Sequence, residues 1–210
     1  MTTNTSLSKK LVAKIRVAVR IRPPLPREIG AEGKFLSCVG IGPTTEKGQT
    51  IFINKTDQPV LMSHNQNSEG KISRYTFDRI FPPNSTQGSV YCYTMEPLVE
   101  AVLDGYNATV LAYGQTGSGK THTILGEAGE KEGLTTRAIR SVLNRPQVSS
   151  VTISIVQIYQ DSVYDLLPET LGDSLVVRQT YDGVKIEQLS EVQVARFYVT
   201  HKAKFTLFIY

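Results

Sequence analysis

Gly114-Gln115-Thr116-Gly117-Ser118-Gly119-Lys120-Thr121 is the stretch on which the reading of this chain turns. It satisfies G-x-x-x-x-G-K-S/T, and that spacing has a mechanical reason. Glycines let the backbone wrap closely around a row of phosphates and turn its N–H groups inward. Lys120 supplies a point charge for β- and γ-phosphates, and the Thr121 hydroxyl is a ligand for Mg²⁺. The N-terminus of a following helix adds partial positive charge. Just upstream, Thr109-Val110-Leu111-Ala112-Tyr113 reads as a short apolar strand buried on both faces. Just downstream, Gly126 and Gly129 leave room only for a short helix. Strand, glycine loop and helix in that order are the context such a motif requires. The alternative without chemistry is a Gly-rich turn that happens to contain Lys-Thr.

Towards the N-terminus, Ile15, Val17, Val19 and Ile21 alternate with Arg16, Ala18, Arg20 and Arg22, a period-2 strand that Pro23-Pro24-Leu25-Pro26 ends. Residues 27–71 read as hairpins and loops, with a strand candidate from Gln49 to Asn54. Ile72 to Phe81 reads as one more strand, closed by Pro82-Pro83. Ser85 or Thr86 is placed to cap a helix starting near Gln87, and Pro97 inside its apolar run predicts a kink or a break. Towards the C-terminus, Leu134 to Asn144 has helical spacing and stops before Pro146. Val151 to Ile158 reads as a strand, and Asp161 to Leu167 as a segment able to turn helical. Leu175 to Val177 and Val184 to Val194 read as a hairpin around Asp182-Gly183. Strands and helices mixed along one stretch predict an α/β fold in a single domain.

Composition narrows the function classes. At 210 residues the chain is long enough to bury a real core, and 40% hydrophobic with 20% charged residues excludes a disordered chain. No apolar run reaches the length of a transmembrane helix, and residues 1–10 lack the pattern of a secretory signal. Cys38 and Cys92 are too few for a disulfide scaffold, which favours a reduced intracellular compartment, and both read as small packing residues. The net charge of +4 is concentrated: residues 1–28 hold seven Lys/Arg and one Glu, while the remainder sums to −2. A nearly neutral body argues against a nucleic-acid binder. His64 and His201 lack metal-ligand spacing, Tyr91 and Tyr93 read as helix-packing rings, and Asp165 suits a cap or surface role.

Ala112 to Thr123 resembles the nucleotide loop of the kinesin motor domain. Other segments agree in order. Arg20-Ile21-Arg22-Pro23 resembles the family's R-x-R-P, and Tyr75 to Phe81 its F-D-x-V-F strand. Leu103 to Asn107 resembles its L-x-G-Y-N turn, and Ser154 to Leu167 its S-x-x-E-I-Y-N-E-x-V-x-D-L-L. The resemblance covers roughly residues 14–194. It implies an α/β phosphate-loop NTPase, a kinesin-like motor head with a central mixed β-sheet flanked by helices. It implies a microtubule motor that couples ATP hydrolysis to movement, with ATP and Mg²⁺ as cofactors and microtubules as partner, no nucleic acid and no membrane. A cytoplasmic, cytoskeletal location follows. The resemblance assigns Gly114, Gln115, Thr116, Gly117, Ser118, Gly119, Lys120 and Thr121 to the phosphates, with Thr121 also on the metal. It assigns Arg20, Arg22, Pro23 and His122 to the adenine, where a guanidinium plane and an imidazole suit a purine. For Arg20 and Arg22 the residues alone read as a solvated strand face. Arg178 and Lys185 are the candidate contacts to tubulin.

The chain departs from the family in one respect that bears on catalysis. The family hydrolyses ATP with two later motifs, N-x-x-S-S-R-S-H and D-L-A-G-S-E, and residues 1–210 contain neither; Ser149-Ser150 is followed by Val151. The expected organisation is a flexible extension over 1–13, a partial motor domain over 14–194 and a divergent, β-prone tail over 195–210. No catalytic residue is assigned. The competing readings are a nucleotide-binding remnant without motor activity, and another phosphate-loop NTPase or kinase. The Arg20-x-Arg22-Pro23 strand and the segment around Tyr159 speak against the last.

Overall fold

The computed structural model describes residues 15–29, 37–54, 72–146, 148–170, 172–195 and 201–209. The 1–13 extension and His64 lie outside them. The chain divides into two compact units, Met1–Ser85 and Thr86–Tyr210.

In the first unit, β1 (Ala18–Arg20) pairs in parallel with β5 (Arg79–Phe81). β2 (Val39–Thr45), β3 (Gly48–Asn54) and β4 (Ile72–Phe77) form an antiparallel sheet in that order. The strand expected over Ile72 to Phe81 is therefore two strands in two sheets, and Asp78 is the reason. Its carboxylate accepts the Val17 N–H at 2.8 Å, and its own N–H donates to the Val17 carbonyl at 3.0 Å. This clamp turns the chain from β4, paired with β3, into β5, paired with β1. The Gln49 side chain accepts the Ile80 N–H at 2.9 Å and ties the two sheets together. Ile51, Ile80 and Phe81 are buried, each side chain contributing about 1.5–3 kcal/mol of apolar burial. The first strand is shorter than its alternating pattern because β5 offers only three residues to pair with.

In the second unit, α1 (Gln87–Thr94) and α2 (Glu96–Leu103) are separated at Met95, the break that Pro97 predicts. Pro97 sits in the first turn of α2, where its missing N–H is not needed. The Thr86 hydroxyl accepts the Ser89 N–H at 3.1 Å and caps α1. α3 (Lys120–Ile124) is short, and α4 (Leu134–Leu143) follows. Leu134, Ala138 and Val142 form one buried stripe on α4, which packs on α1, α2 and β6 (Val148–Tyr159). β6 is the centre of a mixed sheet. It pairs antiparallel with β7 (Ser162–Asp165) and β10 (Val192–Ala195), and parallel with β11 (His201–Ile209). Its Val148, Val151, Ser154 and Val156 are fully buried. β8 (Val177–Thr180) and β9 (Gly183–Ile186) form a separate hairpin. No helix among the described residues is long and apolar enough to cross a membrane.

Several expectations need correction. Asp161 to Leu167 does not turn helical. Gln160 and Asp161 adopt φ of 48° and 59°, a two-residue turn of the kind that matches strand twist, and Val163 pairs with Ile158. Asp165 is buried, so it is a cap and not a surface group. Its carboxylate accepts the N–H groups of Leu167 at 2.9 Å and Ser190 at 2.7 Å. Burial pushes this carboxyl up, but the donors from Leu167 and Ser190 outweigh it and hold it below the usual aspartate range. The second arm of the expected 175–194 hairpin ends at Ile186, and Val192 onward crosses to β6 as β10. Cys38 and Cys92 are exposed free thiols and not packing residues. The largest correction concerns Thr109 to Tyr113. It forms no strand, and Leu111 is 85% and Tyr113 102% exposed, because no described strand hydrogen-bonds alongside it.

Candidate functional site

Residues 114–119 lead from the 106–113 segment, which is in neither helix nor strand, into α3. Gly117 and Gly119 hold φ of +78° and +99°, left-handed conformations that only glycine adopts without strain. The Ser118 N–H donates to the Gln115 carbonyl at 3.1 Å, and the Thr123 N–H to the Gly119 carbonyl at 2.9 Å, closing the loop and opening the helix. The Lys120 ammonium folds back over this loop and donates to the carbonyls of Gly114 at 2.8 Å and Gln115 at 3.1 Å. Those partners are neutral oxygens, so they leave the lysine's charge in place for an anion.

Thr121 and His122 are exposed at the start of α3. The loop and these two residues are one contiguous site. Among the described residues, no group of three or more His, Cys, Asp or Glu is placed to hold a metal ion. The donor set nonetheless fits Mg²⁺ bound with a nucleotide, which keeps its waters and uses substrate phosphates plus few protein ligands. The exposed Thr121 hydroxyl is such a ligand.

Two supports were not foreseen. Gln87, at the first turn of α1 and almost fully buried, donates its amide to the His122 carbonyl at 2.6 Å and to the Lys131 carbonyl at 3.1 Å. It fixes α3 and the 126–133 loop to the same helix. Arg137 donates to the carbonyls of Glu132 and Glu130, both at 2.8 Å, and Arg140 pairs with Glu132 at 2.5 Å. A cleft of about 310 Å³ opens beside Tyr91, Arg137 and Arg140, but none of residues 114–122 lines it.

Arg20, Arg22 and Pro23 belong to the first unit. Arg20 is half-buried on β1 and donates to the Ser85 carbonyl at 3.3 Å; burial lowers its affinity for the proton. Arg22 grips the Glu28 carboxylate with both terminal nitrogens, at 2.7 Å through one of them, and donates to the Pro23 carbonyl at 3.0 Å. The hydrogen bond from Arg22, with a second from the Leu25 N–H, pulls the Glu28 carboxyl down to about 2. Glu28 was absent from the site read in the sequence. Its link to Arg22 depends on a turn through Pro26 and leaves no motif of its own. On the β8–β9 hairpin, Arg178 and Lys185 stand directly opposite each other and are exposed, and Arg178 is paired with Glu187 at 2.5 Å.

Comparison with known proteins agrees with this geometry. The family model described as the kinesin motor domain matches residues 20–203. Kinesin-like protein KIF22 of Mus musculus is 36% identical over 196 residues, covering 89% of this chain and 27% of its own length. Kinesin-like protein 3 of Schizosaccharomyces pombe is 36% identical over 165 residues, covering 74% of this chain and 30% of its own length. The motor domain of the Kar3-like kinesin from Ashbya gossypii aligns with TM-score 0.62 at 26% identity, over 88% of this chain and 55% of that one. A structure of a fast kinesin aligns with TM-score 0.66 at 27% identity, over 87% and 49%. The chain thus spans about half of these solved structures and under a third of these curated relatives. A glycine loop with its lysine turned inward, a mixed sheet around β6 and a family match over most of the sequence lead to one conclusion: the chain belongs to the kinesin motor domain family.

Proposed function

We propose that residues 114–122 bind the triphosphate of ATP with Mg²⁺, and that the chain is the nucleotide-binding part of a microtubule motor. The observation that carries this reading is the Lys120 ammonium, held over the loop by the Gly114 and Gln115 carbonyls alone among its described partners. A phosphate oxygen is a stronger partner than a carbonyl, because both partners are then charged. The loop amides orient the phosphates, and the Thr121 hydroxyl donates an oxygen ligand to the metal. Bound Mg²⁺ supplies charge neutralisation across the β- and γ-oxygens. His122, exposed beside the loop, meets the base. In the full motor this part couples ATP hydrolysis to movement on microtubules, and Lys185 and Arg178 on the β8–β9 hairpin face the acidic filament. The activity is that of a cytoplasmic, cytoskeletal protein.

Fluorescent-ATP titration of the chain tests the nucleotide reading. Lys120→Ala is expected to weaken binding by about a hundredfold, since a hydrogen bond to a charged group contributes about 1.5–3 kcal/mol. Unchanged affinity in the variant contradicts the assignment.

A second reading is supported by the sequence itself: residues 1–210 bind MgATP without motor activity. Phosphoryl transfer depends on positioning an in-line water and stabilising charge, which the phosphate loop does not do alone. The family's two later motifs, absent from these residues, do that in the relatives' family. Steady-state phosphate release with and without microtubules separates the two readings. Stimulation of residues 1–210 favours the motor reading for this segment; binding without stimulation favours the second.

A further inference from the structure

We propose that Gln87 is a positioning residue for the metal side of the phosphate site: by taking the His122 carbonyl it sets the first turn of α3, and with it the place of the Thr121 hydroxyl. The inference rests on the reading that residues 114–122 hold the triphosphate and that Thr121 is the metal ligand. α3 is five residues long, little more than one turn, and a helix that short is not stable by itself in water. In a continuing helix the Gly126 N–H would take the His122 carbonyl. Here it donates to the Thr121 carbonyl at 3.1 Å, beside the Leu125 N–H at 2.8 Å. Gln87 fills the open place. Its amide nitrogen donates to the His122 carbonyl at 2.6 Å and to the Lys131 carbonyl at 3.1 Å. Both partners only accept, so the amide spends its two hydrogens on them.

The donor itself is held firmly. Gln87 is 4% exposed and stands in the first turn of α1, which Thr86 caps. After α3 the chain folds straight back. Gly126 has φ of +67°, and a Cβ there would collide with the Lys131 carbonyl and the Gly133 nitrogen. The Gly133 N–H donates to the Leu125 carbonyl at 2.9 Å, so the returning chain meets the end of α3 backbone to backbone. Gln87 pins both limbs of this turn, and the two chemical groups of α3 depend on it unequally. The Lys120 ammonium ends a flexible four-carbon stem and can follow a phosphate when the backbone shifts. The Thr121 hydroxyl sits on Cβ and moves with the backbone, while Mg²⁺ demands near-ideal octahedral geometry. Loosening α3 therefore costs the metal contribution first.

The test measures dissociation constants of ATP with Mg²⁺ and with EDTA on the full chain, in the parent protein, Thr121→Ala, Gln87→Leu and the double variant. Thermal midpoints are measured in parallel. The readout is the factor by which Mg²⁺ tightens ATP. Thr121→Ala and Gln87→Leu are each expected to lower that factor about tenfold, the low end of what loss of an outer partner of a metal ligand costs. The double variant is expected to match Thr121→Ala, because both changes act through one hydroxyl. An equal loss with Mg²⁺ and with EDTA in Gln87→Leu, an unchanged factor, or a further loss of the factor in the double variant would each overturn the positioning role. A parent protein that Mg²⁺ does not tighten, or a Thr121→Ala factor equal to the parent's, removes the metal reading itself and the proposal with it. If Gln87→Leu lowers the midpoint enough to blur binding, Gln87→Asn takes its place. It keeps the amide but falls one methylene short of the two carbonyls, so the same selective loss is expected, and no selective loss again overturns the role.

Discussion

β6 and the segment from Thr109 to Tyr113 carry the same kind of signal in the sequence, short apolar runs rich in β-branched residues. In the structure they part company. β6 has β10 and β11 on its two sides, β7 along its end and α4 on its face, and Val151 and Val156 are fully buried. The 109–113 segment has no described strand beside it, and its Leu111 and Tyr113 stand in solvent. An apolar run states how much burial is available; pairing partners decide whether it is realised. The segment that leads directly into the phosphate loop is thus less supported than the sheet behind α4.

Valine truncations turn this contrast into numbers. Val156→Ala removes two buried methyl groups and is expected to cost about 2 kcal/mol in urea unfolding, from lost transfer energy and the cavity left behind. Leu111→Ala removes a larger side chain yet is expected to change stability by less than about 0.5 kcal/mol, because Leu111 is 85% exposed. A Leu111 cost as large as that of Val156 would break the comparison.

Asp165 sharpens it with a pH dependence of intermediate size. The group fastens β7, and so one flank of β6, to the 167 and 190 backbone. Its folded-state pKa is depressed, so its stabilisation is complete above the ordinary aspartate range and is lost as pH falls through the lower folded value. Asp165→Asn is expected to lower neutral-pH stability by about 1.5–3 kcal/mol, the value of hydrogen bonds to a charged acceptor, and to flatten the acid limb of the stability profile. An acid limb identical to that of the parent protein would mean that other carboxylates control it. The smallest effect is expected on the hairpin. Lys185→Ala should weaken microtubule co-sedimentation by no more than about fivefold, since one exposed charge contributes about 1 kcal/mol or less.

What was legible in the sequence follows the same division. Signals that act within a few residues read correctly: the glycine loop, the Thr86 cap, the break at Pro97 and the hairpin at Gly183. Features that depend on distant partners did not. The β7 strand depends on pairing with β6, which overrode a segment that looked able to turn helical. The exposure of Leu111 depends on the absence of a described neighbour strand. Gln87 was missed because it acts on carbonyls 35 and 44 residues away, and Glu28 because it acts across a turn on a guanidinium that no local pattern connects to it. The glycine loop was legible, and the residues that brace its surroundings were not.

Amide hydrogen exchange of the whole chain with and without MgATP tests the central claim, that residues 114–121 hold the triphosphate. The loop amides belong to exposed or half-buried residues, with the Ser118 amide donating to the Gln115 carbonyl. Phosphate oxygens that accept them are expected to slow exchange sharply over Thr116 to Thr121, with β6 unaffected and with no slowing in Lys120→Ala. Slowing elsewhere with the 114–121 amides unchanged at saturating MgATP would contradict the account.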